Sequence, residues 1–207
     1  MTRPKTPKPP RKPKYVCQFL IVLPGTDPLV WRRILVPEAY SFWDLHVAIQ
    51  DAMGWMDAHL HEFEVVDPRG RVERIGIPPD DLDDDRPCSA GWEVPIAKLL
   101  VHGMGPMRYR YDFGDDWAHT LELEGLEAAD GGRYPRCLAG AGACPPEDVG
   151  GTVGYADFLQ IIRNPEHSEH AETLAWVGGA FDAHAFDPAS VEFDDPRKRW
   201  RTAFQEG

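Results

Sequence analysis

The sequence lacks the features that would assign it to a familiar enzyme class. It has no G-x-S-x-G motif, no H-E-x-x-H motif and no G-K-[ST] phosphate loop, and none of its few serines lies in a nucleophile setting. No apolar run approaches the roughly 18 residues of a membrane helix, and no apolar segment follows the N-terminal charges, as it would in a secretory signal. Four cysteines in 207 residues are too few for a disulfide scaffold, so we expect a cytoplasmic protein.

Charge is distributed unevenly along the chain. The formal net charge is −12, yet residues 1–14 carry six basic side chains and no acidic one. The rest of the chain has 16 basic and 34 acidic residues, a balance near −18. An acidic body repels nucleic-acid phosphates, so we expect no direct nucleic-acid binding by this part. Because no apolar run is long enough for a membrane helix, we also expect no membrane partner. The basic arm could contact nucleic acid or an acidic protein.

Composition and periodicity predict one domain with two appendages. Residues 1–14 contain five prolines and are expected to form a disordered arm. Residues 15–195 are expected to form a single domain. Residues 196–207 would be a C-terminal tail, in which Trp200 and Phe204 at i and i+4 indicate a short helix.

The domain shows hairpins mixed with helices and no regular βαβ alternation. This ordering predicts an α+β fold with a mainly antiparallel, hairpin-built sheet, packed helices and a helical C-terminal part. Ser41 and Gly54 are the expected caps of the first helix. The predicted strands are residues 15–23, 29–36, 59–66, 71–77, 107–113 and 117–126. The predicted helices are residues 41–53, 95–101, 155–163 and 168–177. Residues 78–90, rich in aspartate, are expected to form a solvated loop.

Three segments concentrate the residues that could carry chemistry. His59 and His61 would share one face of a strand, an arrangement that presents two imidazoles to one metal or simply forms a polar sheet face. The second segment, Asp112 to His119, places Asp115, Asp116 and His119 at the turn of the central hairpin. These carboxylates either bond to turn amides, which would make Asp115→Ala destabilising, or join the imidazole in a site.

The third segment begins with Cys137 and Cys144 and continues into Pro145-Pro146-Glu147-Asp148. The gap between the cysteines is wider than that of a zinc knuckle, so we include them only as candidate metal ligands. The two prolines would hold Glu147 and Asp148 in a fixed, extended presentation, which favours a shaped loop.

These motifs resemble those of the plasmid pRiA4b ORF-3-like family, also named the insertion-element passenger TnpR family. The resemblance rests on PLVWRRILVP at residues 28–37, LHVAIQDAMGW at 45–55, HLHEF at 59–63, YDFGDDWAHTLELE at 111–124 and CPPEDVGG at 144–151. It implies a compact α+β domain found on plasmids, in mobile elements and in bacterial and archaeal genomes, and it implies no established activity. The serine-nucleophile and basic-tail features of a resolvase are not visible in this sequence.

Three functions therefore remain open. The favoured one is a non-catalytic binding or accessory module associated with mobile elements, for which no cofactor is the default expectation. The second is a metal-dependent hydrolase or nuclease, with His59, His61, Asp115, Asp116 and His119 around a divalent cation such as Zn²⁺. The third is an acidic domain that recruits a basic protein partner.

Overall fold

The computed structural model describes residues 12–66, 69–79, 87–100 and 107–205, so most of the basic arm and the run of aspartates at 80–85 lie outside the described residues. The strands are β1 (Tyr15–Leu23), β2 (Val30–Pro37), β3 (His61–Val66), β4 (Val72–Gly76), β5 (Cys88–Ala90), β6 (Met107–Tyr111), β7 (Trp117–Ala128) and β8 (Arg136–Ala141). The helices are α1 (Phe42–Met53), α2 (Ala97–Leu100), α3 (Gly151–Arg163), α4 (His170–Trp176) and α5 (Pro196–Phe204), with a 3-10 turn at Pro188–Ser190.

All eight strands belong to one sheet, in the order β5-β4-β3-β6-β7-β1-β2-β8. The β4–β5 pair is parallel and the other pairs are antiparallel, which confirms the predicted α+β fold. The three expected hairpins also form, with Val22 opposite Trp31, Phe63 opposite Ile75 and Tyr111 opposite Trp117. Because β6 and β7 lie in the middle of the sheet, the turn between them is close to several other chain segments.

Helix α1 begins and ends where the sequence predicts. Ser41 and Asp44 form a reciprocal capping box at its start, with backbone-to-side-chain bonds of 2.8 and 3.2 Å. Gly54 ends the helix in the left-handed region, at φ 102°, and its amide donates to Gln50. Such an N-cap stabilises a helix by about 1 kcal/mol. The helix packs on one face of the sheet, where the Phe42 and Phe63 rings meet at 5.1 Å.

The C-terminal residues form helix α5, which packs against α1. Trp43 and Trp200 are fully buried there, and the Trp200 ring contacts Phe204 at 5.3 Å, as the i, i+4 spacing suggested. The indole of Trp43 donates to the carbonyl oxygen of Pro196 over 2.9 Å. This group of aromatic side chains fixes α5 to the body of the domain.

Several elements differ from the sequence-based expectation. The sequence pattern predicts no strand between residues 127 and 154, but residues 136–141 form the edge strand β8, in which Cys137 pairs with Ile34. Its glycines and alanines have low strand propensity, so the pattern did not indicate a strand. Gly140 serves packing, because a Cβ there would lie 2.4 Å from the Phe186 ring. Residues 88–90 form a strand within the expected loop, and α3 begins four residues earlier than predicted.

None of the helices in the described part of the chain is long and apolar enough to cross a bilayer.

Candidate metal centre

Three chain segments bring an imidazole and three carboxylates together at one end of the sheet. His59 lies just before β3, Asp112 just after β6, and Glu147 and Asp148 lie between β8 and α3. The Nε2 atom of His59 is 3.2 Å from Asp148 Oδ1, 3.6 Å from Asp112 Oδ2 and 3.9 Å from Glu147 Oε2. We call these four residues the His59 centre.

Hydrogen bonds from the surrounding backbone and side chains hold the acidic residues in place. Glu147 Oε1 accepts from the Met56 amide at 2.9 Å and from the Tyr111 hydroxyl at 3.0 Å. The same hydroxyl accepts from the Ala58 amide at 3.0 Å. Asp112 Oδ1 accepts from the Gly114 amide at 2.9 Å, which leaves Oδ2 directed at His59. The centre is therefore organised by residues around it.

Two of the acidic residues have an unusual backbone conformation. Asp112 and Asp148 have φ of 52° and 57°, as does the neighbouring Asp57 at 59°. Aspartate enters this left-handed region more readily than most residues, yet it remains a sparsely populated conformation that concentrates at functional sites. Here it directs the Asp112 side chain towards the imidazole and not to the side that it would take if strand β6 continued through this residue.

The donor atoms of the His59 centre suit a divalent cation. One ligand atom each from His59, Asp112 and Asp148 can be chosen so that all three lie within 4.8 Å of one another. Ligands at about 2.0–2.2 Å from a metal are separated by roughly 3 Å or more, which is close to the observed spacing. The His59 Nε2 atom is buried, and although Asp148 Oδ1 lies 3.2 Å away, none of the described residues forms a hydrogen bond with it. A metal ion is one group that would satisfy it.

A second cluster next to the centre contains His46, Asp57 and His61, and it has the geometry of a hydrogen-bond network. His46 Nε2 lies 2.8 Å from Asp57 Oδ1, and its Nδ1 lies 2.8 Å from the Tyr109 hydroxyl. Gln50 donates to that hydroxyl at 2.9 Å. An arrangement with the Tyr109 proton directed at Nδ1 and the His46 proton directed at Asp57 satisfies all three contacts. The cluster joins helix α1 to the loop that carries His59.

Ring stacking makes this second cluster a poor cation site, although its atoms are close enough together. The His46 and His61 rings are stacked at 3.4 Å with an angle of 9° between their planes. A metal must lie near the plane of each imidazole that binds it, and two parallel planes this far apart cannot both contain it. His61 is 2% exposed, and burial together with the neighbouring His46 holds its pKa well below the ordinary value. His61 is therefore a neutral ring in the core.

The remaining predicted residues of the central turn point to other places. Asp115 Oδ2 accepts from the Gly150 amide at 3.0 Å, before the start of α3, and Asp116 pairs with Arg110 at 2.8 Å. The turn amide of Gly114 is bonded by Asp112, so Asp115 does not have the turn-amide role considered for it. His119 is buried beside Trp55, and burial lowers its pKa to about 4. The structure does not bring these three residues into the His59 centre.

The two cysteines considered as ligands lie near a buried arginine. Burial raises the pKa of both Cys137 and Cys144, which keeps the thiols protonated, and Arg32 opposes this shift. Arg32 is 1% exposed, donates to the carbonyl oxygens of Ala52 and Ala141, and lies 3.6 Å from the centre of the Phe186 ring. These cysteines are not part of either His-containing cluster found among the described residues.

Sequence reasoning did not select Asp112 and Tyr111, which shape the centre, or Asp57, which belongs to the second cluster. The sequence pattern places Asp112 where the predicted strand 107–113 meets the turn segment 112–119. Its selection would have required knowing its left-handed backbone, which local pattern does not reveal. Tyr111 contributes through a hydroxyl at the end of a strand whose inward-facing residues, Met107 and Tyr109, are ordinary core positions.

Comparison with known proteins places the chain in a family. Residues 15–190 match the model of the plasmid pRiA4b ORF-3-like protein. The uncharacterized protein y4hQ of Sinorhizobium fredii (strain NBRC 101917 / NGR234) is 36% identical over 188 residues, covering 89% of this chain and 94% of the relative. The crystal structure of MM3350, a protein of unknown function from Methanosarcina mazei Go1, is similar with a TM-score of 0.79 and 39% identity, over 87% of this chain and 99% of that one. The chain belongs to the plasmid pRiA4b ORF-3-like family.

Proposed function

We propose that this protein is a divalent-cation-binding module whose working site is the His59 centre. The observation that carries the proposal is the His59 Nε2 atom, which lacks a hydrogen bond and faces carboxylates from two other segments at 3.2–3.9 Å. Three acidic groups around one imidazole repel one another unless positive charge is placed among them. A bound cation supplies that charge and gives the imidazole nitrogen a partner.

The donor set favours a transition-metal ion over calcium or magnesium. Imidazole nitrogen suits Zn²⁺, carboxylate oxygen suits Mn²⁺, and Ca²⁺ and Mg²⁺ prefer an environment made only of oxygen. His59, Asp112, Asp148 and Glu147 would offer one nitrogen and up to three carboxylates. Tyr111 would orient Glu147 through its hydrogen bond without binding the metal itself, as groups around metal ligands commonly do.

The test is titration calorimetry of the tag-free full chain with Zn²⁺ and with Mn²⁺. We expect one site per chain, and a loss of affinity of at least tenfold in Asp112→Asn and in Asp148→Asn. Glu122→Gln is the control, because it removes an exposed acid from the middle of β7. If the wild type binds neither ion, or if all three variants bind alike, the centre is a cluster of side chains that holds no cation and the proposal is wrong.

Metal-dependent hydrolysis is a second candidate, favoured by the openness of the centre. The side chain of His59 is 30% exposed and that of Asp148 is 73% exposed, so water could reach a cation held there. A metal-bound water becomes a nucleophile when the metal lowers its pKa. Cleavage of bis(p-nitrophenyl) phosphate by the metal-loaded chain, lost in Asp112→Asn and kept in Glu122→Gln, would support this function. A chain that binds metal without turnover would remain a binding module.

A further inference from the structure

A groove at the end of the sheet opposite the His59 centre is unused by the proposed function. It has a volume of about 610 Å³ and is formed mainly by residues 133–135, by the extended segment 191–195 and by the start of α5. Tyr134, Pro135 and Phe193 give it half-buried ring surfaces, and Glu192, Asp194 and Asp195 give it acidic groups. Aromatic rings beside carboxylates suit a ligand that combines proline rings with basic side chains.

The basic N-terminal arm enters the fold at this same end of the sheet. Val16 pairs with Pro37 and Tyr15 with Ala128, so the start of β1 lies beside the ends of β2 and β7. The Lys14 amide donates to Glu38 Oε1 at 3.1 Å. Leu35 pairs with Arg136, so the 133–135 wall of the groove is next to the end of β2 as well. The place where the arm leaves the domain is therefore close to the groove.

The composition of the arm matches the groove. Residues 1–11 lie outside the described part of the chain and contain Pro4, Pro7, Pro9 and Pro10 among four basic side chains. Proline-rich ligands bind aromatic-lined grooves in the polyproline II conformation, in which about eleven residues span roughly 34 Å. That conformation is already extended before binding, so docking it costs little conformational entropy.

One acidic group in the groove is available for a basic partner. Asp195 pairs with Arg197 and Asp194 with Arg199, both at 2.8 Å. Glu192 is exposed and forms no ion pair with any described residue. The groove also contains Arg133, so its local charge is only mildly negative, and the strongly acidic body supplies the longer-range attraction.

We propose that residues 1–11 of the chain itself occupy this groove, with proline rings against Tyr134 and Phe193 and basic side chains near Glu192. The contact is intramolecular, and it does not depend on the cation at the His59 centre. It gives the arm a defined docking place on its own domain, so an external acidic partner or nucleic acid would have to compete for it.

The experiment compares amide NMR spectra of the full chain, of a chain lacking residues 2–11, and of full-length Glu192→Lys. We expect removal of the arm to shift the amide signals of Arg133, Tyr134 and residues 191–195. Glu192→Lys should move these groove signals towards those of the shortened chain. Glu122→Lys, with the same change of charge on β7, should leave them in place.

Shifts confined to residues 12–16 after deletion would overturn the proposal, because they would report only the change next to the cut. Groove shifts that disappear on dilution of the full chain would also overturn it, since the occupant would then be the arm of a second copy. Equal effects of Glu192→Lys and Glu122→Lys would show general charge attraction without docking.

Discussion

The hydroxyl group of Tyr111 lies 3.0 Å from Glu147 Oε1 and 3.0 Å from the amide nitrogen of Ala58. This one side chain, at the end of β6, therefore holds the loop before β3 and the loop before α3 in a fixed relation. Those two loops supply His59, Glu147 and Asp148. The relation explains how residues nearly 90 positions apart in sequence share one centre.

We predict that Tyr111→Phe weakens cation binding by roughly tenfold or more, because Glu147 loses the group that orients it. The variant should also lose about 1 kcal/mol of stability with the hydrogen bonds. Calorimetric titration and urea unfolding measure the two effects. Tyr155→Phe is the control, because the Tyr155 hydroxyl is buried and has no hydrogen-bond partner in the described part of the chain. Equal metal affinity in the two variants would contradict the orienting role of Tyr111.

We predict that the fold loses stability on mild acidification, partly through His119. Burial lowers the pKa of this residue from 6.5 to about 4. Below pH 6.5 the unfolded chain takes up a proton that the folded chain refuses, so the free energy of unfolding falls as pH falls. Between pH 7 and pH 5 the loss from His119 should be about 2 kcal/mol.

Denaturant unfolding of the wild type and of His119→Leu at both pH values tests this sign. The variant should lose less stability on acidification than the wild type. The exposed His184→Leu should keep the wild-type pH dependence. Identical pH dependence in all three proteins would show that His119 is protonated equally in the folded and unfolded chains.

We predict that Gly151→Ala destabilises the fold by about 3 kcal/mol. Gly151 has φ of 68°, and a Cβ there would lie 2.3 Å from the carbonyl oxygen of Asp115. This close approach joins the central turn to the start of α3. Gly131→Ala is the matched control, with φ of 83° and no atom within 4 Å of an added Cβ. It should cost about 1 kcal/mol, the penalty of the left-handed backbone alone. Thermal unfolding of both variants measures the difference. Similar losses of stability in the two variants would exclude a steric contribution at residue 151.

We predict that Arg199→Met costs about 3 kcal/mol, because it leaves a buried carboxylate without its cation. Arg199 lies 2.7 Å from Asp51, whose side chain is only 5% exposed, and burial already raises the pKa of that acid. Arg197→Met, on the same helix, breaks a pair with the more exposed Asp195 and should cost less than about 1 kcal/mol. Urea unfolding of both variants gives the comparison. A larger loss of stability in Arg197→Met would contradict the assignment of Arg199 as the more important ion-pair partner.

The parts of the fold that follow from local pattern were predictable. The hairpin of β1 and β2, the central hairpin and the caps of α1 all depend on residues close in sequence, where alternation and capping chemistry act directly. Strand β8 was not predictable in this way. Its residues acquire strand geometry from pairing with β2, about 105 positions earlier, and their own propensities oppose it.

The candidate site likewise has features that follow from the local sequence and features that depend on the tertiary structure. The sequence by itself determined that imidazoles and acids are concentrated in the segments around His59, Asp112 and Glu147, and it carries the family motifs. Only the tertiary structure decided that Asp112 joins His59 while Asp115, Asp116 and His119 face elsewhere. The physical reason is that side-chain direction at the end of a strand depends on a left-handed backbone and on long-range hydrogen bonds, such as the one from the Asp112 amide to Leu60 at 3.0 Å.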